Sequence, residues 1–349
     1  MRPDVLFVTL APQHLSARRR LEDAQSETFT VGTYATDADK VKESIPSRLL
    51  SGRYFGVFLA VLTTRAKVAW VWGHDAGFVG SLAAAFRPKL RLIWDISDVN
   101  PRLLGNGPGA RVLRFAERLL VRRADRLFLT SPTFYDRYYA KLIARTRVKI
   151  VENKHSSGQK SEVTVPPASG PLRIVMAGIF RSPEVLRLID ECARRIGDRV
   201  VFDLYGYAGR AIPPELMATL AGNPQVRLMG EYDGNQLADI YRDAHLVWGF
   251  VDPTENDNEK WLLTNRIYDG ITQHRPILTN AGTASGEYVV GHRLGLAMPM
   301  GADAVVGALW PLVDPSGESY QALLAQMPDP ATGYMRGDYA RAIGELLDE

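Results

Sequence analysis

The sequence contains one cysteine, Cys192, in 349 residues, so an intramolecular disulfide is excluded. Cys192 lies in the helical pattern EVLRLIDECARRIG, where a buried filler is expected, and this low cysteine content is typical of a reducing compartment. No run of 18 apolar residues occurs, so no membrane-spanning helix is predicted. The first residues lead directly into the apolar run VLFVTL, which predicts no secretory signal and a cytoplasmic protein.

Strong charge is also missing. A net charge of +3 is only mildly basic, which predicts no nucleic-acid partner. The apolar content of 46% and the charged content of 23% are typical of a soluble globular protein. Residues 48–72, RLLSGRYFGVFLAVLTTRAKVAWVW, come nearest to a membrane span but are interrupted by Arg, Thr and Lys. This stretch is either a core helix followed by a strand, or a basic, aromatic-rich surface that contacts the inner face of a membrane.

The first half of the chain alternates short apolar runs with helical patterns. Continuous apolar strands between helices predict a parallel sheet that is covered on both faces. Two of the helices between these strands are predicted at 77–86 and 110–123. The predicted strands are 5–10, 29–32, 68–71, 90–94, 126–129 and 148–151.

The same alternation restarts after residues 155–170, HSSGQKSEVTVPPASG, which have the composition of a linker. The sequence therefore predicts an α/β protein with two doubly wound, Rossmann-like domains at 1–154 and 171–325. A helical segment at 326–349 follows and is expected to cross back to the first domain. Ligands of such folds bind at the carboxyl ends of the strands, so an interdomain cleft is the expected site.

Candidate ligand-binding residues follow the first strand of the second domain, in AGIFRSPE (177–184). Gly178 permits a tight turn, Ser182 is a predicted helix N-cap, and Pro183 suits the first helical position. Arg181 then lies beside a helix N-terminus, where anions bind. The alternative is a solvated loop arginine.

The next strand ends in YGYAGR (205–210), where Tyr205, Gly206 and Gly209 are expected to let a ligand approach closely. The pattern GxGxxG is absent, which disfavours a dinucleotide-binding site.

The run TNRIYDGITQHRPILTN (264–280) predicts a helix over 264–273 and then a strand. Thr264 or Asn265 can cap this helix, while Arg266 and Asp269 share one face of its first turn. A nucleoside diphosphate requires a cation for its phosphates and an acceptor for its ribose hydroxyls, and both are present here. The alternative is a local Arg–Asp pair on a solvated face.

The segments VRLMGEYDGNQLADIYRDAHLVWGFV and LLTNRIYDGITQHRPILTN resemble the donor-binding half of GT-B glycosyltransferases, especially those that build bacterial polysaccharides or glycosylate small molecules. The resemblance covers most of 172–280 and extends more loosely to WDISDVNP, FAERLLVRRADRLFLTSP and IVEN in the first half. It implies the GT-B fold, with the acceptor on the first domain and a nucleotide-sugar donor on the second.

Carried over to this sequence, the resemblance places Arg266 where the family has a lysine that touches the donor diphosphate. Asp269 stands in place of the glutamate that holds the ribose, and Arg181 matches a cation after the first strand of the domain. Glu231, after the strand 226–230, joins this predicted site. The first glutamate of the family's E-x7-E motif would fall at Trp261, which leaves the choice between a retaining and an inverting reaction open.

Three residues of the first domain are candidate catalytic groups: Asp98, Asp75 and its neighbour His74. The pair Ser97-Asp98 resembles the segment that holds the catalytic base in the inverting glucuronosyltransferase of xanthan assembly. An inverting reaction requires such a carboxylate to accept the proton of the acceptor hydroxyl. The alternatives are an Asx turn at Asp98 and a helix N-cap at Asp75.

The leading hypothesis is therefore a metal-independent glycosyltransferase that needs no cofactor and uses a UDP- or GDP-sugar as co-substrate. Its acceptor is a glycan, a lipid-linked sugar or a small molecule. The six histidines are scattered, and no His/Cys cluster is present to bind a metal. The alternatives are a sugar-nucleotide 2-epimerase of the same fold, for which His155 is the fitting histidine, and a non-catalytic nucleotide-sugar sensor.

Overall fold

The computed structural model describes residues 2–12, 14–35, 52–154, 166–329 and 338–349. It divides into two compact units. The first comprises Met1–Ser157 together with Arg336–Glu349, and the second comprises Gly158–Met335. The predicted linker, 155–170, lies largely outside the described residues, as does His155.

The first unit contains a six-stranded parallel sheet in the order β2-β1-β3-β4-β5-β6. Its central strand β3 is buried along its whole length, as expected for a sheet covered on both faces. The strands are β1 Val5–Thr9, β2 Val31–Ala35, β3 Val68–Trp72, β4 Arg91–Ile96, β5 Arg126–Leu129 and β6 Val148–Ile150.

Helices cover this sheet. They are α1 Leu15–Asp23, α2 Arg53–Thr63, α3 His74–Ala85, α4 Pro101–Leu104, α5 Pro108–Leu120, α6 Pro132–Arg137 and, much later in the chain, α15 Tyr339–Asp348. The last of these belongs to the first unit because Tyr339 stacks on Trp70 at 5.2 Å between ring centroids. Its main-chain N–H also donates to Asp23 at 2.8 Å.

The second unit contains another six-stranded parallel sheet, in the order β12-β11-β10-β7-β8-β9. Its strands are β7 Leu172–Ala177, β8 Val200–Tyr205, β9 Val226–Gly230, β10 Leu246–Trp248, β11 Ile277–Asn280 and β12 Gly295–Met298. Its helices are α7 Pro183–Ile196, α8 Pro214–Ala221, α9 Leu237–Arg242, α10 Asp257–Trp261, α11 Asn265–Thr272, α12 Ala284–Gly291, α13 Ala302–Leu309 and α14 Glu318–Ala325.

The predicted fold class, two doubly wound α/β domains with parallel sheets, is confirmed. The predicted strand 29–32 is shifted, because the strand begins at Val31 whereas Phe29 is buried in the core beside it. The helix predicted at 110–123 begins earlier, since Pro108 occupies a first-turn position, and it ends in a 3₁₀ turn at Val121–Arg123.

Where they are described, residues 48–72 form α2 and β3, so the predicted helix followed by a strand is confirmed, and contact with a membrane stays a prediction. The outer side of that helix nevertheless exposes apolar side chains. No helix in the described part of the chain is long and apolar enough to cross a membrane. The Cys192 thiol is buried, and burial together with Glu191 raises its pKa to about 12, so this filler stays protonated at neutral pH.

Candidate functional site

The loops that follow β7 and β8 are joined main chain to main chain. The N–H of Gly178 donates to Tyr205 O at 2.9 Å, and the N–H of Gly209 donates to Phe180 O at 2.8 Å. A Cβ on Gly206 would lie 1.9 Å from Gly178 O, and its φ of +130° also favours glycine. Glycine is therefore required here by the packing of the two loops, and its predicted contact with a ligand stays a prediction.

Ser182 begins α7 as the sequence predicts. Its hydroxyl oxygen accepts from the N–H groups of Glu184 (3.1 Å) and Val185 (3.3 Å) and donates to the Asp252 carboxylate at 2.9 Å. Burial opposes ionisation of Asp252, but hydrogen bonds from Thr254, Ser182 and the main chain outweigh it and lower its pKa. This contact fixes the loop after β7, which carries Arg181, to the loop after β10.

Arg266 places its guanidinium at the carboxyl edge of the second sheet. Its Nη1 donates to the main-chain oxygens of Trp248 (3.1 Å) and Phe250 (3.4 Å), at the end of β10 and just beyond it. Burial is the main cause of a lowered pKa at Arg266, and the positive charge of Arg181 adds to it. The structure thus brings two guanidinium groups close enough to repel each other, which a bound anion would relieve.

Asp269 lies on the same helix, α11, with only 5% of its surface exposed. An Arg–Asp pair on a solvated face, the alternative for this helix, is therefore wrong. Thr264 occupies the N-cap position without a capping side-chain hydrogen bond, and its N–H donates to Ser285 Oγ at 3.2 Å. Asn265 is the first helical residue and is half-buried.

Glu259 is a residue that the sequence motif did not select. It lies on α10, is 9% exposed, and its negative charge favours the charged form of Arg266. Trp261, which occupies the family's glutamate position, ends the same short helix. The carboxylate near Arg266 thus comes from a residue two positions earlier than the motif predicts.

Two tyrosine rings pack against each other at the end of β8 and just beyond β9. Tyr205 and Tyr232 are 6.5 Å apart between ring centroids and nearly perpendicular. Tyr232 also influences the pKa of Arg266, which places it near that guanidinium. Glu231, the predicted nucleotide-sugar contact that precedes Tyr232, is exposed.

His74, Asp75 and Asp98 lie at the carboxyl edge of the first sheet, because β3 and β4 are neighbours. His74 and Asp75 begin α3, whose N-cap position is Gly73, so the alternative that Asp75 is the N-cap is wrong. Asp75 instead accepts a hydrogen bond from the Tyr54 hydroxyl at 3.0 Å. Asp98 follows β4 and is exposed, so an acceptor hydroxyl can reach it.

A buried carboxylate, Glu117, lies behind His74. Its oxygens accept from the hydroxyls of Tyr138 (2.6 Å) and Tyr139 (3.0 Å), and one of them is 3.4 Å from His74 Nε2. Burial and the charge of Glu117 raise the pKa of both tyrosines, which therefore remain protonated donors. The sequence did not indicate that Glu117 is buried. It stands among arginines in α5, as a glutamate on the surface of a helix commonly does.

A second buried group fixes the segment that carries Asp98. Arg20 Nε donates to Asp95 at 2.9 Å, and Arg20 Nη2 donates to Ser97 Oγ at 2.9 Å. Trp72 Nε1 donates to the same Ser97 oxygen at 2.8 Å. Burial opposes the charge of Arg20, but Asp95 outweighs it and raises the pKa of Arg20. The backbone before Asp98 is thereby fixed by a fully buried ion pair.

Sequence comparison finds similarity to known glycosyltransferase sequences in the first unit. Residues 2–154 match the glycosyl transferase 4-like domain. A curated relative, the succinoglycan biosynthesis protein ExoL of Rhizobium meliloti (strain 1021), is 26% identical over 242 residues, which cover 65% of this chain. The match spans 60% of the length of that relative.

Solved structures share the whole architecture. HepE of Anabaena in complex with UDP and glucose has a TM-score of 0.66 at 14% identity, with 100% of both chains covered. Sucrose-phosphate synthase of Thermosynechococcus elongatus has a TM-score of 0.68 at 13% identity, with 99% of this chain and 98% of that one covered. UDP-GlcNAc 2-epimerase of Neisseria meningitidis has a TM-score of 0.60 at 13% identity, with 100% of both chains covered. The GT-B fold that the sequence resemblance implied is confirmed.

Within this GT-B fold, the candidate residues form one group on each unit. Arg181, Arg266 and Glu259 lie together on the second unit, whereas His74, Asp75 and Asp98 lie at the sheet edge of the first unit. Among the residues that the structure describes, no three His, Cys, Asp or Glu side chains cluster as metal ligands. Independence of a metal and of a cofactor stays a prediction.

Proposed function

We propose that this chain is a glycosyltransferase that binds a nucleoside diphosphate-sugar on its second unit and moves the sugar to an acceptor hydroxyl. The observation that supports this best is the position of Arg266, whose Nη1 donates to two main-chain oxygens at the carboxyl edge of the second sheet, with the positive charge of Arg181 near it. A diphosphate would add negative charge beside these two cations, of which Arg266 has Glu259 as a nearby carboxylate. The adjacent Tyr205 and Tyr232 offer aromatic surface for a nucleobase.

In the proposed reaction, the bond between the sugar's anomeric carbon and the diphosphate oxygen breaks while a bond to the acceptor oxygen forms. Negative charge builds on the departing diphosphate, and Arg181 and Arg266 stabilise it electrostatically. Asp98 accepts the proton of the acceptor hydroxyl, which makes that oxygen a better nucleophile. The products are a nucleoside diphosphate and a glycoside of inverted anomeric configuration.

The similar proteins support a choice of donor and acceptor class. HepE is bound to UDP-glucose in one of its structures, and ExoL is named for the biosynthesis of a polysaccharide. A UDP-sugar is therefore the first donor to test, followed by a GDP-sugar. The acceptor classes are a growing glycan, a lipid-linked sugar and a small molecule.

The deciding experiment measures release of nucleoside diphosphate from a panel of UDP-, GDP- and TDP-sugars, with and without lipid-linked and soluble acceptors. A glycosyltransferase is expected to release nucleoside diphosphate in proportion to the acceptor that is glycosylated. Saturable donor binding without release in any combination would instead indicate a non-catalytic sensor.

A 2-epimerase of the same fold is the second candidate, because the Neisseria epimerase matches the fold over the full length of both chains. An epimerase would change the configuration of the donor sugar without an acceptor. Proton NMR of the UDP-sugar incubated with the protein alone separates the two activities.

Replacement of Asp269 with Ala is expected to weaken binding of the free nucleotide. If this carboxylate accepts from the ribose hydroxyls, the loss is roughly 1–3 kcal/mol, the usual range for a hydrogen bond to a charged group. Calorimetric titration with UDP and with GDP measures it. Asp303→Ala, an exposed carboxylate of the same unit, is the control and should bind normally. Unchanged affinity in a folded Asp269→Ala protein would remove the ribose assignment.

Replacement of Arg266 with Ala is expected to lower turnover about 10- to 100-fold, because a charged hydrogen bond to the leaving diphosphate is worth roughly 1.5–3 kcal/mol. Arg266→Lys keeps the positive charge that related enzymes have at this position and should retain most of the turnover. Steady-state kinetics of both variants, with nucleoside binding as a phosphate-free comparison, provides the measurement. An equal loss of nucleoside binding would show that Arg266 acts on the fold rather than on the diphosphate.

A further inference from the structure

The outward side of three neighbouring helices in the first unit is apolar. Helix α3 contacts both α2 and α5, and the rings of Phe58 and Phe86 meet edge to face at 6.2 Å. Phe55, Phe86 and Phe115 are 64%, 66% and 65% exposed. With them the helices expose further large side chains. We call the following set the apolar face: Phe55, Leu59, Leu82, Phe86, Val112, Leu113, Phe115 and Leu119.

A domain surrounded by water does not usually expose so many large apolar side chains on neighbouring helices. Single exposed apolar residues are ordinary, but a solvent-facing helix normally turns polar side chains outward. Among the described residues of the first unit, every exposed large apolar side chain belongs to the apolar face. On α5, Val112, Phe115 and Leu119 follow one another at helical spacing along the same side. Exposed apolar side chains concentrated on neighbouring helices in this way indicate a site of interaction.

The surroundings of the apolar face are basic. Residues 52–123 contain 12 Lys and Arg but only 4 Asp and Glu. Of those four acids, Asp95 and Glu117 are fully buried, and Asp75 is half-buried and bonded to Tyr54. In contrast, α5 and the turn after it expose three arginines beside the apolar stripe, namely Arg111, Arg118 and Arg122.

We propose that the apolar face docks on an anionic lipid bilayer. The phenylalanine rings and leucines would enter the boundary between headgroups and acyl chains, while the exposed arginines bind phosphate headgroups. A second copy of the chain is a poor occupant, because the same face on both partners would bring arginines against arginines. The apolar side chains and the arginines together match the chemistry of an anionic membrane surface.

The proposal is tested by flotation of the full-length protein with phosphatidylcholine vesicles that contain or lack phosphatidylglycerol. Binding is expected only with the anionic vesicles, and it should weaken as salt is added, because the arginine contribution is screened. The assay needs no sugar nucleotide, so its outcome is independent of the proposed glycosyltransferase activity.

Two variants separate the apolar and the electrostatic contributions. Phe55→Ser/Phe86→Ser/Phe115→Ser removes the three rings, and Arg111→Gln/Arg118→Gln/Arg122→Gln removes the charges. Each should lower the vesicle partition coefficient at least about tenfold, given that a single basic residue near an anionic surface contributes roughly fivefold. All six side chains are exposed, so circular dichroism and the melting temperature should stay close to those of the original protein.

Matched controls come from the second unit. Val290→Ser/Trp310→Ser removes exposed apolar surface elsewhere, and Arg187→Gln/Arg194→Gln/Arg199→Gln removes the same number of exposed arginines. Both controls should bind anionic vesicles like the original protein. Equal loss in variants and controls, equal binding to neutral vesicles, or no binding at all would overturn the proposal. A change of molar mass by light scattering in the Phe variant, without vesicle binding by the original protein, would identify a protein interface instead.

Discussion

Replacement of Asp98 with Asn is expected to lower glycosyl transfer by roughly 10²–10⁴-fold, the range for loss of general acid–base catalysis. The amide keeps the size of the side chain and its hydrogen bonds within the loop, but it cannot accept the proton of the acceptor hydroxyl. Donor affinity should stay nearly intact, because the proposed nucleotide-binding residues lie on the second unit. Turnover with a saturating donor, together with calorimetric donor titration, separates these two effects.

The control for Asp98→Asn is Glu27→Gln. Glu27 is an exposed carboxylate in the turn before β2, at the opposite edge of the same sheet. It should leave turnover unchanged. An active Asp98→Asn protein, or a product whose anomeric configuration is retained by NMR, would disprove the assignment. If His74→Gln alone abolishes transfer, the base is the imidazole that lies against buried Glu117.

The second large effect is on stability. Removing one partner of the buried Arg20–Asp95 pair should destabilise the first unit by about 3–5 kcal/mol, because an unpaired charge is left in the core. Arg20→Met keeps the length of the side chain and tests this directly. Hydrogen exchange of the β3 and β4 amides is the measurement, since it reports opening of this unit alone.

Two further variants show whether the loss of stability comes from the charge of Arg20. Arg18→Met, on the exposed side of the same helix, should change the exchange free energy by less than about 0.5 kcal/mol. Arg20→Met/Asp95→Asn neutralises the orphaned carboxylate while it keeps an acceptor for Trp70 Nε1. It should recover much of the lost stability. A double variant as unstable as Arg20→Met would mean that the guanidinium acts through packing and its other hydrogen bonds, not through its charge.

The fold could be predicted because parallel strands that are buried on both faces are continuous apolar runs in the sequence. In the helices between them, apolar residues recur with the period of an α-helix. Ser182 and Pro183 were predictable for the same local reason, since capping depends on neighbouring residues. Glu117, Asp95 and Asp252 could not be predicted. Each is a charged residue whose burial depends on partners far away in sequence, such as Arg20, which is 75 residues from Asp95.

The glycine at 206 shows a related limit. The sequence predicts an unusual backbone at this position but cannot distinguish contact with a ligand from contact with another loop. In the structure, the oxygen of Gly178 occupies the place that a Cβ would take. The hydrogen bonds from Arg266 to main-chain oxygens could not be predicted either. Every residue has a main-chain carbonyl, so the sequence does not show which of them will lie near a given side chain.

Helix α15 determines the order in which the two units can complete their folding during synthesis. Its Tyr339 stacks on Trp70, and its ring lies over the Arg20 guanidinium at 5.4 Å. The ribosome must therefore synthesise the whole second unit before the core of the first can close, although amino-terminal domains generally fold first during synthesis. Until then the nascent first unit exposes Trp70 and Phe128 where the helix will pack. The second unit, encoded later, is the one that can complete its core first.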